Sequence, residues 1–152
     1  MSWLTNHDLK RLIAKNGDSS TKQAFLGVFP ITKLPTRLNY YPTFLVINTQ
    51  AHNLGGEHWF TIFITKQRHG ELFDSAARPV DRRVKRWLNE FTHTWTRNEL
   101  TYQKPFSSLC GAFALYYILN RLHYPSMQST LYQRQKAIDD RFVLDYFRRL
   151  RK

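Results

Sequence analysis

The single cysteine of the chain, Cys110, lies in the stretch QKPFSSLCG, directly before a long apolar run. A thiol in the first turn of a helix meets unsatisfied amide hydrogens and the positive end of the helix dipole, and both favour thiolate over thiol. Nucleophilic attack on a carbonyl is the chemistry such a group serves, and it requires a base. Of the six histidines, His58 in GGEHWF stands at the start of a strand-like run, where backbone pairing can hold it. His7 falls in a helical segment, while His52, His69, His93 and His123 fall in loops, turns or a helix end. An imidazole base needs an acceptor that fixes its tautomer and stabilises its charged form. Asp74 ends ELFD, a strand expected to run antiparallel to the one that begins at His58, which brings the two side chains together. Gln103, seven residues before Cys110, supplies an amide donor that a loop can fold toward the thiol as part of an oxyanion hole. Gly111 leaves the neighbouring amide hydrogens open and allows a substrate backbone to approach closely. Each of these residues also has a plain structural reading. Cys110 is then a small buried residue, His58 a half-buried neighbour of Trp59, Asp74 the start of a turn with Ser75, and Gln103 a polar strand end.

No metal motif competes for these side chains. One cysteine excludes paired-Cys zinc sites, no HExxH or HxxxH pair occurs, and the adjacent Gly55 and Gly56 lack the spacing of a phosphate-binding loop. Thiol chemistry of this kind requires no cofactor.

The elements that must position these groups are legible from hydrophobic period. SWLTNHDLKRLIAKNG offers Ser2, Thr5 and Asn6 as N-caps, spaces Leu9, Leu12 and Ile13 on one face and stops at Asn16 and Gly17, which predicts a short helix. A turn follows, then FLGVF and the proline-interrupted ITKLPTRLNYYP, read as loop and edge structure. Residues 44–48, 59–65 and 71–74 are β-branched and aromatic runs of strand length, expected to form a small sheet. PVDRRVKRWLNEF predicts a helix with Pro79 in its first turn and Arg82, Arg83, Lys85 and Arg86 on its outer side. Residues 98–103 read as a further strand. From Cys110 the run CGAFALYYILNRL is apolar nearly all round, as a central helix packed on a sheet requires, with Ser107 or Ser108 as its cap. The tail IDDRFVLDYFRRLRK predicts a last amphipathic helix. The whole is an α+β chain: a small mixed sheet packed on a central helix that starts at Cys110, with flanking helices.

At 152 residues, one domain over 1–152 is expected, and 42% apolar residues are enough to build its core. One cysteine forms no internal disulfide, and neither a signal peptide nor a membrane span is apparent, so a soluble monomer that is not secreted is expected. The charge of +12, from 23 Lys and Arg against 11 Asp and Glu, fits two readings alike, a polyanionic partner such as nucleic acid and a basic surface that serves solubility alone.

Taken in order, GGEHW, LFD and QKPFSSLCG resemble the adenovirus protease family and, more widely, the cysteine peptidases that include the SUMO-deconjugating enzymes. Gln103, Pro105, Ser107, Cys110 and Gly111 stand at the spacing of the family pattern Q-x-P-x-S-x-x-C-G, and the resemblance covers residues 44–124. It implies a thiol endopeptidase with Cys110 as nucleophile, His58 as base, Asp74 as orienting acid and Gln103 in the oxyanion hole. It further implies virion precursor proteins as substrates, cleavage after small residues such as glycine, a location in the virion and the host nucleus, and DNA as an activating polyanion. Asp74 stands where adenovirus enzymes commonly have Glu, a shorter arm that SUMO peptidases also use. With Cys110 alone, the disulfide-tethered activating peptide of adenovirus enzymes does not carry over. Two alternative readings fit the same fold: a deconjugating enzyme for ubiquitin-like proteins, and a non-enzymatic basic nucleic-acid-binding or packaging protein.

Overall fold

Strand β2 (Thr43–Asn48) sends alternate side chains into two different cores. Phe44 and Val46 face one side while Leu45 and Ile47 face the other, so a strand buried on both faces reads as a continuous apolar run rather than an alternation. The computed structural model, which describes residues 4–49 and 58–151, places β2 second in a five-stranded mixed sheet. The order is β1 (Phe25–Pro30), β2, β3 (Trp59–Ile64), β4 (His69–Phe73) and β5 (Thr94–Arg97). The three inner strands pair antiparallel, and each outer strand runs parallel to its neighbour.

Helix α4 (Cys110–Asn120) lies on the Phe44 face, where Gly111 to Leu119 are all buried. Helices α1 (Asn6–Asn16) and α6 (Asp140–Leu150) pack beside it through Leu9, Leu12 and Ile13 and through Val143 and Phe147. Each such side chain contributes roughly 1.5–3 kcal/mol of burial, so α4 is held along its whole length and its first residue has a fixed place. The Leu45 face is covered by α3 (Arg82–Phe91) through Val84, Trp87 and Leu88, with Ile31, Leu34 and Leu38 alongside. The fold is therefore α+β with a mixed sheet on a central helix.

Several local expectations are corrected. Of the proposed caps for α1, Thr5 is the one used, in a reciprocal pair with Asp8, and Ser2 lies outside the described residues. Helix α2 (Ser19–Ala24) forms where a turn was expected, because Asp18 accepts the Thr21 N–H at 2.8 Å. Helix α3 starts at Arg82, capped by Asp81, so Pro79 precedes it. The strand expected over 98–103 is a loop, and TWTR just before it forms β5, joined in register to β4 up to Leu72 and Arg97. The sheet thus gains β1 and β5 as edges beyond the three expected strands. Helix α5 (Met127–Leu131) and the hairpin of β6 (Tyr132–Gln133) and β7 (Lys136–Ala137) occupy the stretch before α6. His52, Gly55, Gly56 and Lys152 lie outside the described residues. No helix among those described is long and apolar enough to cross a membrane.

Candidate active site

His58 directly precedes β3, and the β2–β3 ladder reaches one residue further to hold it. Its N–H donates to Thr49 Oγ1 at 3.1 Å, and the Thr49 N–H donates to its carbonyl at 2.9 Å. Asp74 directly follows β4, the antiparallel neighbour of β3, so the end of one strand meets the start of the other. The outcome is a contact of 2.7 Å between His58 Nε2 and Asp74 Oδ1, with the residues 3% and 4% exposed. The carboxylate is held by the turn after it: Oδ1 accepts the Ala76 N–H at 2.9 Å and Oδ2 the Arg78 N–H at 3.2 Å.

Cys110 is the first residue of α4 and is half-buried. The His58 side chain and the backbone N–H groups of Trp59 and Gly111 are the groups that act on its thiol. Because Asp74 occupies Nε2, Nδ1 is the ring nitrogen that serves the sulfur. Burial pushes the Cys110 thiol up, but the His58 hydrogen bond, the Trp59 amide, the His58 charge and the Gly111 amide together bring it below its ordinary value. Burial likewise disfavours charged His58, yet its hydrogen bonds to Asp74 and Cys110 and their charges raise it to about 9. Both shifts move the pair toward thiolate beside imidazolium.

Gly111 has a role different from the one expected. It is buried, and a Cβ there would lie 3.0 Å from Trp59 Cε3 and 3.2 Å from Leu4 Cδ1. The missing side chain admits the Trp59 ring, which locks the strand carrying His58 onto the helix carrying Cys110. The HW and CG pairs of the sequence are two halves of one packing contact.

Gln103 is buried in the loop between β5 and α4. Its Oε1 accepts the Ser75 hydroxyl, which turns the NH₂ end the other way, where it donates to the Ser107 carbonyl at 3.2 Å. One of the two amide hydrogens is accounted for there. The cap expected from Ser107 acts one residue early: its hydroxyl accepts the N–H of Leu109, the residue before the helix.

Sequence reasoning passed over two residues that hold this set in place. Asn98 pairs with the main chain of Asp74 in both directions, accepting its N–H at 2.8 Å and donating to its carbonyl at 2.6 Å. Where the backbone ladder between β4 and β5 ends, this side chain continues it. Ser75 joins the acid to the glutamine, since its carbonyl accepts the N–H groups of Tyr102 and Gln103 while its hydroxyl holds the amide. The available signal was Asn98 directly after a strand and a serine beside the candidate acid, both common in ordinary turns. Among the described residues, no group of three or more His, Cys, Asp or Glu is placed to hold a metal ion.

No protein-family model matches the chain, and no curated protein matches it. Solved structures do. A crystal structure of the ASFV pS273R protease superposes with a TM-score of 0.62 at 18% identity, covering 96% of this chain and 64% of that one. Its selenomethionine form gives 0.61 at 19%, covering 96% and 65%. The chain has the fold of that protease. It spans about two-thirds of that protein's length, with 64% and 65% covered in the two structures. The central domain of the uncharacterized Lpg1148 protein from Legionella pneumophila also matches, with a TM-score of 0.47 at 13% identity over 93% of this chain and 84% of that one.

Proposed function

We propose that the chain is a thiol endopeptidase that works through Cys110, His58 and Asp74. The observation that carries this reading is the line of contacts from the buried Asp74 carboxylate through the His58 ring to a half-buried thiol at the start of α4. The Cys110 thiolate attacks the scissile carbonyl carbon, a C–S bond forms, and charge moves onto the carbonyl oxygen. The Gln103 amide and the N–H groups at the start of α4 receive that charge. His58 then gives its Nδ1 proton to the departing amine as the C–N bond breaks, leaving a thioester. Neutral His58 takes a proton from the water that attacks the thioester, and Cys110 leaves as thiolate beside a restored imidazolium. Asp74 stays anionic throughout and holds the ring.

In its finer form the reading is an adenovirus-protease-like enzyme that processes virion precursor proteins after small residues, within the particle and the host nucleus. Its support is the order of GGEHW, LFD and QKPFSSLCG together with a fold shared with the ASFV pS273R protease. Non-specific DNA binding accompanies it. Arg82, Arg83, Lys85 and Arg86 are exposed on α3, and Arg148, Arg149 and Arg151 are exposed at the end of α6, but the two helices pack on opposite faces of the sheet. A patch of about four cations gives a salt slope near −3.6, or about a hundredfold loss of affinity between roughly 50 and 200 mM salt. Anisotropy titrations with unrelated duplexes measure this, and no binding at low salt removes DNA from the reading.

The catalytic claim is tested with a thiol-reactive peptide probe that places glycine at the acyl position. Mass spectrometry should find the adduct on Cys110, and Cys110→Ala should lose both labelling and cleavage of a matched peptide. Cleavage that survives in Cys110→Ala contradicts the mechanism.

A further inference from the structure

Phe106 is 106% exposed, more so than any other large apolar residue among those described, and it has a backbone φ of 62°. The Ser107 N–H donates to the Lys104 carbonyl at 3.0 Å, so Pro105 and Phe106 are the central residues of a turn whose third position needs positive φ. Glycine fits that position without strain, whereas a phenylalanine there is disfavoured by its Cβ. The turn is also firmly held. The Lys104 N–H donates to Asp140 Oδ1 at 3.1 Å, the Ser107 carbonyl accepts from Gln103 and the Ser107 hydroxyl accepts from Leu109. A fixed turn therefore displays a large apolar ring to water, at a backbone angle that ring disfavours, between Gln103 and Cys110. Packing among the described residues explains neither the exposure nor the angle.

We propose that Phe106 is a specificity-determining residue that packs against an apolar side chain of the substrate polypeptide; this rests on the endopeptidase reading above. Four chain steps separate Phe106 from Cys110, so their Cα atoms are at most about 14 Å apart. An extended substrate covers that span in about four residues, which places the partner side chain within about four positions of the scissile bond. Leu100, 66% exposed in the loop that leads to Gln103, adds apolar surface on the other side of the glutamine in the chain.

The test compares the native chain with Phe106→Gly and Phe106→Leu on a peptide series that carries one leucine at each position up to four from the scissile bond, against an all-polar flank. Phe106→Gly should raise KM about tenfold or more for one leucine position, leave the polar-flank peptide and the rate of Cys110 alkylation unchanged, and leave thermal stability equal or higher. Phe106→Leu should restore most of the preference. If Phe106→Gly cuts every peptide as the native chain does, the proposal is overturned. Binding of the same uncleaved peptides is measured in a Cys110→Ala background, where the apolar preference should likewise depend on Phe106. That readout does not require turnover: a Phe106-dependent preference in a chain whose native form cleaves nothing overturns the endopeptidase reading and keeps the subsite. Absence of the preference there overturns the subsite, whatever the cleavage result.

Discussion

Strand β4 and the residue after it hold two buried carboxylates, Glu71 and Asp74, whose surroundings differ in what donates to them. Glu71 receives Arg121 twice, at 2.8 and 2.7 Å, and the Tyr117 hydroxyl at 2.6 Å. Burial and the Glu71 charge hold the Tyr117 phenol well above its ordinary range, and the guanidinium keeps its proton at any ordinary pH, so no proton in this cluster is free to move. Asp74 receives two backbone N–H groups and an imidazole, and the imidazole leads on to a half-buried thiol. The first arrangement pins the end of α4 to the sheet. The second is as deeply buried but contains two groups that titrate in an accessible range. Burial by itself therefore does not separate a structural ion pair from a reactive one; the identity of the proton donors does.

The contrast is broken most severely at His58. His58→Ala should lower turnover by about 10⁴-fold, since the thiolate loses its stabilising cation and the leaving amine its acid, while folding survives. Single-turnover peptide kinetics measures it, and a loss below tenfold would place His58 outside the chemistry. Arg121→Met should do the reverse. It strands a buried Glu71 charge and should cost about 3–5 kcal/mol in urea unfolding, with the pH dependence of the remaining activity unmoved. A shifted pH profile in that variant would show that the two clusters are coupled. The smallest of the three effects is expected from Gln103→Ala, about 10²- to 10³-fold in kcat with Cys110 alkylation unaltered. An unchanged kcat would leave Gln103 only its bonds to Ser75 and Ser107.

The two clusters were not equally legible in the sequence. Asp74 and His58 were assignable to one place because Asp74 follows one short apolar run and His58 precedes its neighbour, and antiparallel pairing brings the end of one beside the start of the other. Cys110 was assignable because it opens a run that is apolar nearly all round, and a thiol in the first turn of such a helix meets free amide hydrogens and the positive end of the dipole. Glu71 and Arg121 are fifty residues apart, and nothing local marks either as buried, so their pairing follows only from the packing of α4 on β4. Asn98 was hidden for a related reason. A side chain that imitates a backbone ladder carries no period, and TWTR before it is too short to outweigh the apolar residues of NELTYQ. Gly111 was assigned to the substrate because its contact with Trp59 is made across the interior.

Proton linkage gives the contrast a pH window. A histidine raised from 6.5 to about 9 contributes stability that is fully present below pH 6.5 and is lost as pH rises through about 9. Activity that needs thiolate and imidazolium together should rise with pH through the lowered thiol value and fall again near 9. The most direct measurement is the rate of Cys110 alkylation across pH in the native chain and in His58→Ala. The account predicts that thiolate reactivity in the native chain sets in below the ordinary thiol range, and that His58→Ala moves its onset up to or above that range. A native onset at or above the ordinary thiol value, unmoved by His58→Ala, would contradict it.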